Sequence, residues 1–457
     1  MSAATNQALT PVGEALDSRA GESPDLVLSE ALVLDPVAGI DGRHDLVVRA
    51  GRIAELAAPG TAELEGAERI DASSLHAFPA FFDPHVHLRT PGQEHKEDVE
   101  TGTRSAAAGG FCGVIAMANT EPPVSTAADV EALREAAREG ASVPTGFLAT
   151  VTKGMEGEEL TEMAELREAG ALGFSDDGLP IRSAGIMRRA LQYQRLCGGT
   201  IALHEEDPDL SAGGAMHEGV VSAALGLDGV PSVSESTMIA RDAELARYEG
   251  GRIHVQHLSA VESVEAVRAA RAAGVRISAE ATPHHLCITD EEVRSLDATR
   301  FKMNPPLRAE ADRQALIAGL RDGTIDCIAT DHAPHAAEEK EVPFEGAAMG
   351  VTGLETAFAA VHTDLVLPGT IELALLVERL AGGAEPFGIE RPTLAPGSEA
   401  NIALCDLGAE WTVGEDGYES RSSNSWCAGR TLTGRVVVTI AAGQVAFRLR
   451  SFSVGAA

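Results

Sequence analysis

The chain has 457 residues, 69 acidic against 36 basic, a formal net charge of −33 and a hydrophobic fraction of 44%. That length allows one large α/β barrel with a smaller module, or two to three ordinary domains. The acidic residues run along the whole chain, which describes a solvated surface and argues against nucleic acid or an anionic membrane as partner.

Residues 1–24 lack apolar periodicity and read as a loose tail. From Asp25 the alternating segments DLVLSEALVLD and HDLVVRAGRIAELA, with glycine-containing turns, predict hairpins of a small sheet. After His76 the pattern changes to short apolar runs separated by Ala/Glu/Arg-rich stretches. The runs are FPAFFDPHVHL, FCGVIAMAN, TGFLATVT, GALGFSDD, TIALHEE, RIHVQHLS, RISAEATPHHL and IDCIATDHAP, with helices predicted over Ala127–Glu139, Val261–Ala273 and Arg313–Arg321 among others. Eight strand–helix units predict an α/β fold, a (β/α)8 barrel over residues 76–385. Beyond Pro396 the segments ANIALCDL and TLTGRVVVTIAAGQVAFRL return to β-like alternation. Residues 386–457 are therefore expected to join 25–75 in one β-sandwich module built from both chain ends.

No apolar run reaches the ~18–20 residues of a membrane span and the first residues show no signal-peptide pattern, so the cytoplasm is the expected compartment. The six cysteines contain no CxxC pair and read as free thiols. Lysine is nearly absent, at Lys96, Lys153, Lys302 and Lys340.

Chemistry in such barrels sits at the C-terminal strand ends. Here those ends carry His85 and His87, Asn119, Asp176 and Asp177, His204, His257, and Asp331, His332 and His335. Residues i and i+2 of a strand share a face, so His85 and His87 aim at one point. Imidazole and carboxylate without cysteine suit Zn²⁺, Mn²⁺, Co²⁺ or Fe²⁺. Four histidines and two carboxylates exceed the needs of one tetrahedral ion and match a pair of ions about 3.5–4 Å apart sharing a hydroxide. Arg89, beside them, would face a substrate anion.

With the motifs DPHVHLRTPG, MANTEPP, GFSDDG, HEED, HVQHLS, ATPHHL, KMNPPLR, TDHAPH and MGVTGLET, the chain after about residue 25 resembles the amidohydrolase superfamily, and within it the type I dihydroorotases. The resemblance implies two Zn²⁺ per subunit. His85 and His87 match the ligands of the more buried ion, and His204 and His257 those of the second. Asp331 matches the residue that touches the first ion and shuttles the proton. Arg89, Asn119 and His335 match the substrate-carboxylate clamp, and Asn304 a contact to the pyrimidine ring, with backbone groups near Gly350. Many relatives bridge the ions with a carboxylated lysine on the fourth strand; this chain has GFSDDG there, and Asp177 is preferred over Asp176 for its spacing to His204. Lys153, His254, His284, His285 and His332 are assigned structural roles, and His44, His76, His95, His217 and His362 the surface.

The implied reaction is reversible cyclisation of N-carbamoyl-L-aspartate to dihydroorotate, a step of pyrimidine biosynthesis. A homodimer, and association with aspartate transcarbamoylase, are also implied. The rivals are a hydantoinase or allantoinase, against which the absent lysine and the clamp residues count, and a non-catalytic dihydroorotase-like partner of the transcarbamoylase, which would have lost metal histidines. The chain departs from the pattern in HLRTPG for HLREPG and MANTEP for MPNTxP, and keeps Arg89 and Asn119 through both.

Overall fold

A computed structural model describes residues 9–452. The amino-terminal strands β1 (Leu26–Asp35), β2 (Ile40–Arg49) and β3 (Arg52–Ala57) form antiparallel hairpins. The β2–β3 turn is Ala50–Gly51, with φ of 48° and 73°, the left-handed pair that a two-residue loop needs to follow strand twist. Strands β4 (Glu68–Asp71) and β5 (His76–Pro79) pair in parallel with β1.

The next eight apolar runs form the parallel barrel strands. They are β6 (Phe81–Val86), β7 (Phe111–Ala116), β8 (Thr145–Ala149), β9 (Gly173–Phe174) and β10 (Thr200–Leu203). After a short parallel pair, β11 (Met216–His217) with β12 (Gly229–Val230), come β13 (Arg252–Val255), β14 (Arg276–Ala281) and β15 (Cys327–Ile328). Every residue of β6, β7 and β8 is buried, the signature of parallel strands covered on both faces. Helices follow each strand, among them Val99–Ala108, Ala127–Gly140, Val261–Ala272 and Glu310–Asp322. First and last strands close through a Val86–His332 bridge and through Asp83, whose carboxylate accepts from the Thr330 hydroxyl at 2.6 Å.

The chain then returns through β16 (Ile402–Thr412), β17 (Thr431–Ala441) and β18 (Gln444–Arg448). These join β5, so the module built from both chain ends is one mixed sheet ordered β18-β17-β16-β5-β1-β2-β3, with β4 beside β1. It is folded so that strands from its two ends pack on one core and the β2–β3 turn at Gly51 meets the β17–β18 turn at Gly443. Strand β5 lies in this sheet because it pairs with β16, which moves residues 76–79 out of the expected barrel span. One face carries its own core of Leu26, Leu46, Ile70, Ile402 and Val438. Ala403, Cys405 and Val436 join the barrel core.

The expected loose tail covers residues 1–24, of which 1–8 lie outside the described residues. From residue 9 the segment is tied down: Val12 and Leu16 are buried in the barrel core, Thr10 bridges Ile389, and Asp17 pairs with Arg134 at 2.6 Å. Two isolated apolar side chains suffice to dock it, too few to register as periodicity. Among the described residues no helix is long and apolar enough to cross a membrane, and all six cysteines are free.

Candidate metal centre

Six side chains from five strand ends meet at the barrel mouth. His85 lies in β6 and His87 just beyond it; Asp177 follows β9, His204 follows β10, His257 follows β13 and Asp331 follows β15. All six are buried. Asp331 Oδ1 lies 3.0 Å from His87 Nε2 and 3.4 Å from His85 Nε2. Asp177 sits between the histidines, with Oδ1 3.7 Å from His85 Nε2, 3.8 Å from His204 Nδ1 and 3.7 Å from His257 Nε2, and Oδ2 3.5 Å from His87 Nε2. His204 Nδ1 and His257 Nε2 are 2.9 Å apart. Arg89, His257 and Asp331 hold φ of 57°, 30° and 47°, unfavourable for side-chain-bearing residues and kept where surroundings over-determine them.

The electrostatics follow from this crowding. Burial disfavours the His85 cation, but Glu280, Asp331 and Asp177 outweigh it and lift its pKa well above the ordinary imidazole value. Burial opposes ionisation of Asp177, yet His85 and then His257 hold it well below the usual carboxylate range. Burial is likewise overcome at Asp331, where His85 and His87 bring the carboxyl to about 2. Burial lowers His87, and the Arg89 guanidinium adds to the shift.

The family model described as Dihydro-orotase-like matches residues 77–263. A curated dihydroorotase of Anaeromyxobacter sp. (strain K) is 45% identical over 425 residues, spanning 92% of this chain and 97% of that protein. One from Pelotomaculum thermopropionicum is 44% identical over 426 residues, spanning 93% and 99%. The chain belongs to the dihydroorotase family. Among solved structures, L-hydantoinase from Arthrobacter aurescens superposes with a TM-score of 0.81 at 26% identity, over 92% of this chain and 96% of that one. Dihydropyrimidinase from Brevibacillus agri, at 21% identity and a TM-score of 0.81 over 94% and 96%, shares the fold.

This dihydroorotase-family centre suits cations on its own donor chemistry. Asp177 Oδ1 is buried and, among the described residues, accepts no hydrogen bond, although three imidazole nitrogens face it. An anionic oxygen left in that state is costly unless a cation stands between it and the nitrogens. Ligand atoms of His85, His87 and Asp331 lie within 4.8 Å of one another, as do those of His85, Asp177 and His257. A further group, His254, Glu280 and Cys327, also meets that spacing. Burial pushes the Cys327 thiol well above its ordinary pKa, which disfavours the thiolate a metal requires.

Three hydrogen-bonding partners of the centre escaped the sequence reading. Glu280, in β14, is fully buried; its Oε1 accepts from His85 Nδ1 at 2.6 Å and from His257 N–H at 3.1 Å, and its Oε2 lies 2.9 Å from His254 Nε2. It thereby turns His85 Nε2 toward the cluster. Glu206 lies 3.2 Å from His204 Nε2, leaving Nδ1 to face Asp177. Gln256 donates to Met117 Sδ at 3.1 Å and lies 3.3 Å from His85 Nδ1. The carboxylate and amide residue types were a signal for Glu280, Glu206 and Gln256, but not for which histidine each would meet.

The expected substrate residues are brought to the same mouth with different partners. Buried Arg89 donates from Nε to the Pro334 carbonyl at 3.1 Å, and its Nη2 is 3.5 Å from His335 Nε2. His335 Nε2 donates to the Met349 carbonyl at 2.9 Å, and burial with Arg89 lowers its pKa to about 4, so the ring is neutral at ordinary pH. Asn119 does not bond to either; its Oδ1 is 2.9 Å from His87 Nδ1 and its Nδ2 donates to Asp177 Oδ2 at 3.0 Å. Asn304 Nδ2 donates to Glu206 at 2.7 Å and lies 3.3 Å from His204 Nε2.

Asp176 is turned from the cluster and accepts from Val151 N–H at 2.7 Å and Thr152 N–H at 3.2 Å. Lys153 is exposed and pairs with Glu159 at 2.6 Å. His332 Nε2 bonds Glu97 at 3.2 Å, and His285 Nε2 donates to the Pro305 carbonyl at 3.0 Å. His284 is buried with neither ring nitrogen hydrogen-bonded among the described residues. His362 departs from its surface assignment: it is 3% exposed, stacks on Phe358 at 5.6 Å and donates to the Thr433 carbonyl at 2.9 Å. It is buried because β17 packs over its helix, a contact between distant segments.

Proposed function

We propose that this chain catalyses reversible cyclisation of N-carbamoyl-L-aspartate to dihydroorotate and water, with two Zn²⁺ held by His85, His87, Asp177, His204, His257 and Asp331. The observation that carries the reading is Arg89, a buried guanidinium at the edge of the cluster whose described side-chain partners are one carbonyl and one neutral imidazole. Asp331 and Asp177 act on it through space, but neither is hydrogen-bonded to it, and a substrate carboxylate can answer its free N–H groups bidentately.

The bound cations would polarise the ring amide carbonyl and make water acidic enough to attack near neutral pH. Asp331, ionised at neutral pH, takes the proton of the attacking water. As the new C–O bond forms and the ring C–N bond breaks, Asp331 returns that proton to the leaving nitrogen. In the cyclising direction Asp331 first removes a proton from the carbamoyl nitrogen. Arg89, Asn119 and His335 hold the free carboxylate, and Asn304 the pyrimidine edge, so that the carbonyl approaches in one orientation. The same reading carries the homodimer, tested by light scattering, and association with aspartate transcarbamoylase, tested by co-purification of the two chains.

The test of function offers dihydroorotate, hydantoin and dihydrouracil to purified protein, with metal content measured in parallel. A charged buried hydrogen bond is worth roughly 1.5–3 kcal/mol and buried N–H groups left without an acceptor add to the loss, so substrates without the carboxylate should fall by about 10²–10⁴ in kcat/KM. Arg89→Met should narrow that gap. Equal turnover of hydantoin or dihydrouracil by the wild type overturns the proposal in favour of a hydantoinase.

A further inference from the structure

We propose that Lys340 is a positioning residue for the substrate: its buried ammonium group pins the loop that carries Asn304 to the loop that holds His335. The proposal rests on the reading of Asn304 and His335 as substrate contacts given above. Lysine is rare in this chain, four residues among 36 basic ones, and three of the four gather at this rim. Lys302 and Lys340 are buried, as is Lys96, which pairs with Glu339 at 2.8 Å; only Lys153 is exposed.

The geometry explains why lysine stands here. Lys340 Nζ donates to the carbonyls of Lys302 at 3.0 Å, Ala348 at 2.8 Å and Gly350 at 3.0 Å. Three converging carbonyls saturate the three donors of an ammonium group, whereas the planar fork of a guanidinium cannot meet them together. Burial and the Lys302 ammonium draw the Lys340 pKa down to about 7, while the three acceptors favour the protonated amine.

Each carbonyl belongs to a segment of the substrate rim. Lys302 lies two residues before Asn304, and its carbonyl also accepts from Gly350 N–H at 3.0 Å. Ala348 and Gly350 flank Met349, whose carbonyl receives His335 Nε2. The contact is close: a Cβ on Gly350, where φ is +135°, would lie 3.0 Å from His335 Nε2. Asn424, from the β16–β17 connection, donates to the Gly350 carbonyl at 3.2 Å and accepts from His335 N–H at 3.1 Å. Lys340 touches neither Asn304 nor His335; it acts through the backbone that aims them.

The test compares wild type with Lys340→Met, Lys340→Gln and Lys340→Ala, measuring KM and kcat for dihydroorotate, bound metal, and rescue of Lys340→Ala by ethylammonium against tetramethylammonium. Losing the charged donors should raise KM by about tenfold or more, with kcat changed by less than about threefold and metal content at the wild-type level. Ethylammonium, which has N–H donors, should lower the KM of Lys340→Ala; tetramethylammonium, which has none, should not. A wild-type KM in folded Lys340→Met overturns the proposal. So does a fall in metal and kcat together at unchanged KM, or failure of all three variants to fold, since each marks a general structural role. Failure of the underlying functional reading is seen separately, as wild-type protein that does not turn over dihydroorotate.

Discussion

Replacing Glu280 with glutamine tests whether the interior of the barrel tunes the metal centre. The carboxylate serves three donors at once, His85 Nδ1, His257 N–H and His254 Nε2, at 2.6, 3.1 and 2.9 Å. In Glu280→Gln the amide oxygen must occupy the position that faces two of them, His85 and His257. Its NH₂ then meets His254, whose proton moves to Nδ1 toward the Ser278 hydroxyl 2.8 Å away. Shape and packing survive; the negative charge does not. Charge-assisted hydrogen bonds are about twice as strong as neutral ones, so the bond to His85 should weaken by about 1 kcal/mol. His85 also loses the anion that raises its basicity, the effect for which outer-shell substitutions cost about 10–100-fold in metal affinity. Chelator competition at fixed pH measures that affinity directly, and activity at saturating metal should recover most of the wild-type rate. An affinity within about twofold of wild type would show that Glu280 does not orient or charge His85, against the ~10–100-fold expected.

Asp177→Ala should abolish metal binding and activity, because Asp177 faces all four histidines. Asp176→Ala should keep the metal but lose about 1–3 kcal/mol of stability, since two backbone N–H groups lose their acceptor; chemical denaturation and metal analysis separate the two, and metal retained in Asp177→Ala would refute the bridge. At Glu339 burial opposes ionisation, but the Lys96 ion pair and Ala336 N–H hold the carboxyl at about 2, against an ordinary 4.5. A carboxyl pKa lowered on folding contributes stability that is present above about pH 4.5 and is lost as pH falls toward about 2. Glu339→Gln should flatten that acid limb of Tm against pH, and superimposable wild-type and variant curves would remove the Lys96 pair as its cause.

The local pattern of this chain determined its architecture. Strands β6 to β8 are buried on both faces and so appear as largely apolar runs, broken in β6 only by Asp83 and His85, while helices alternate with them. The i, i+2 spacing of His85 and His87 likewise specified a shared face before any partner was known. Tertiary structure decided what no local period encodes: which residue meets which. Glu280 reaches His85 across 195 positions, Asn424 reaches His335 across 89, and Lys340 reaches the Lys302 carbonyl across 38. The docking of Val12 and Leu16 and the burial of His362 belong to the same class. Periodicity reports which face a side chain takes, whereas a hydrogen bond needs its partner's position to within a few tenths of an ångström. Only closure of the barrel and return of the chain through β16 and β17 supply those positions.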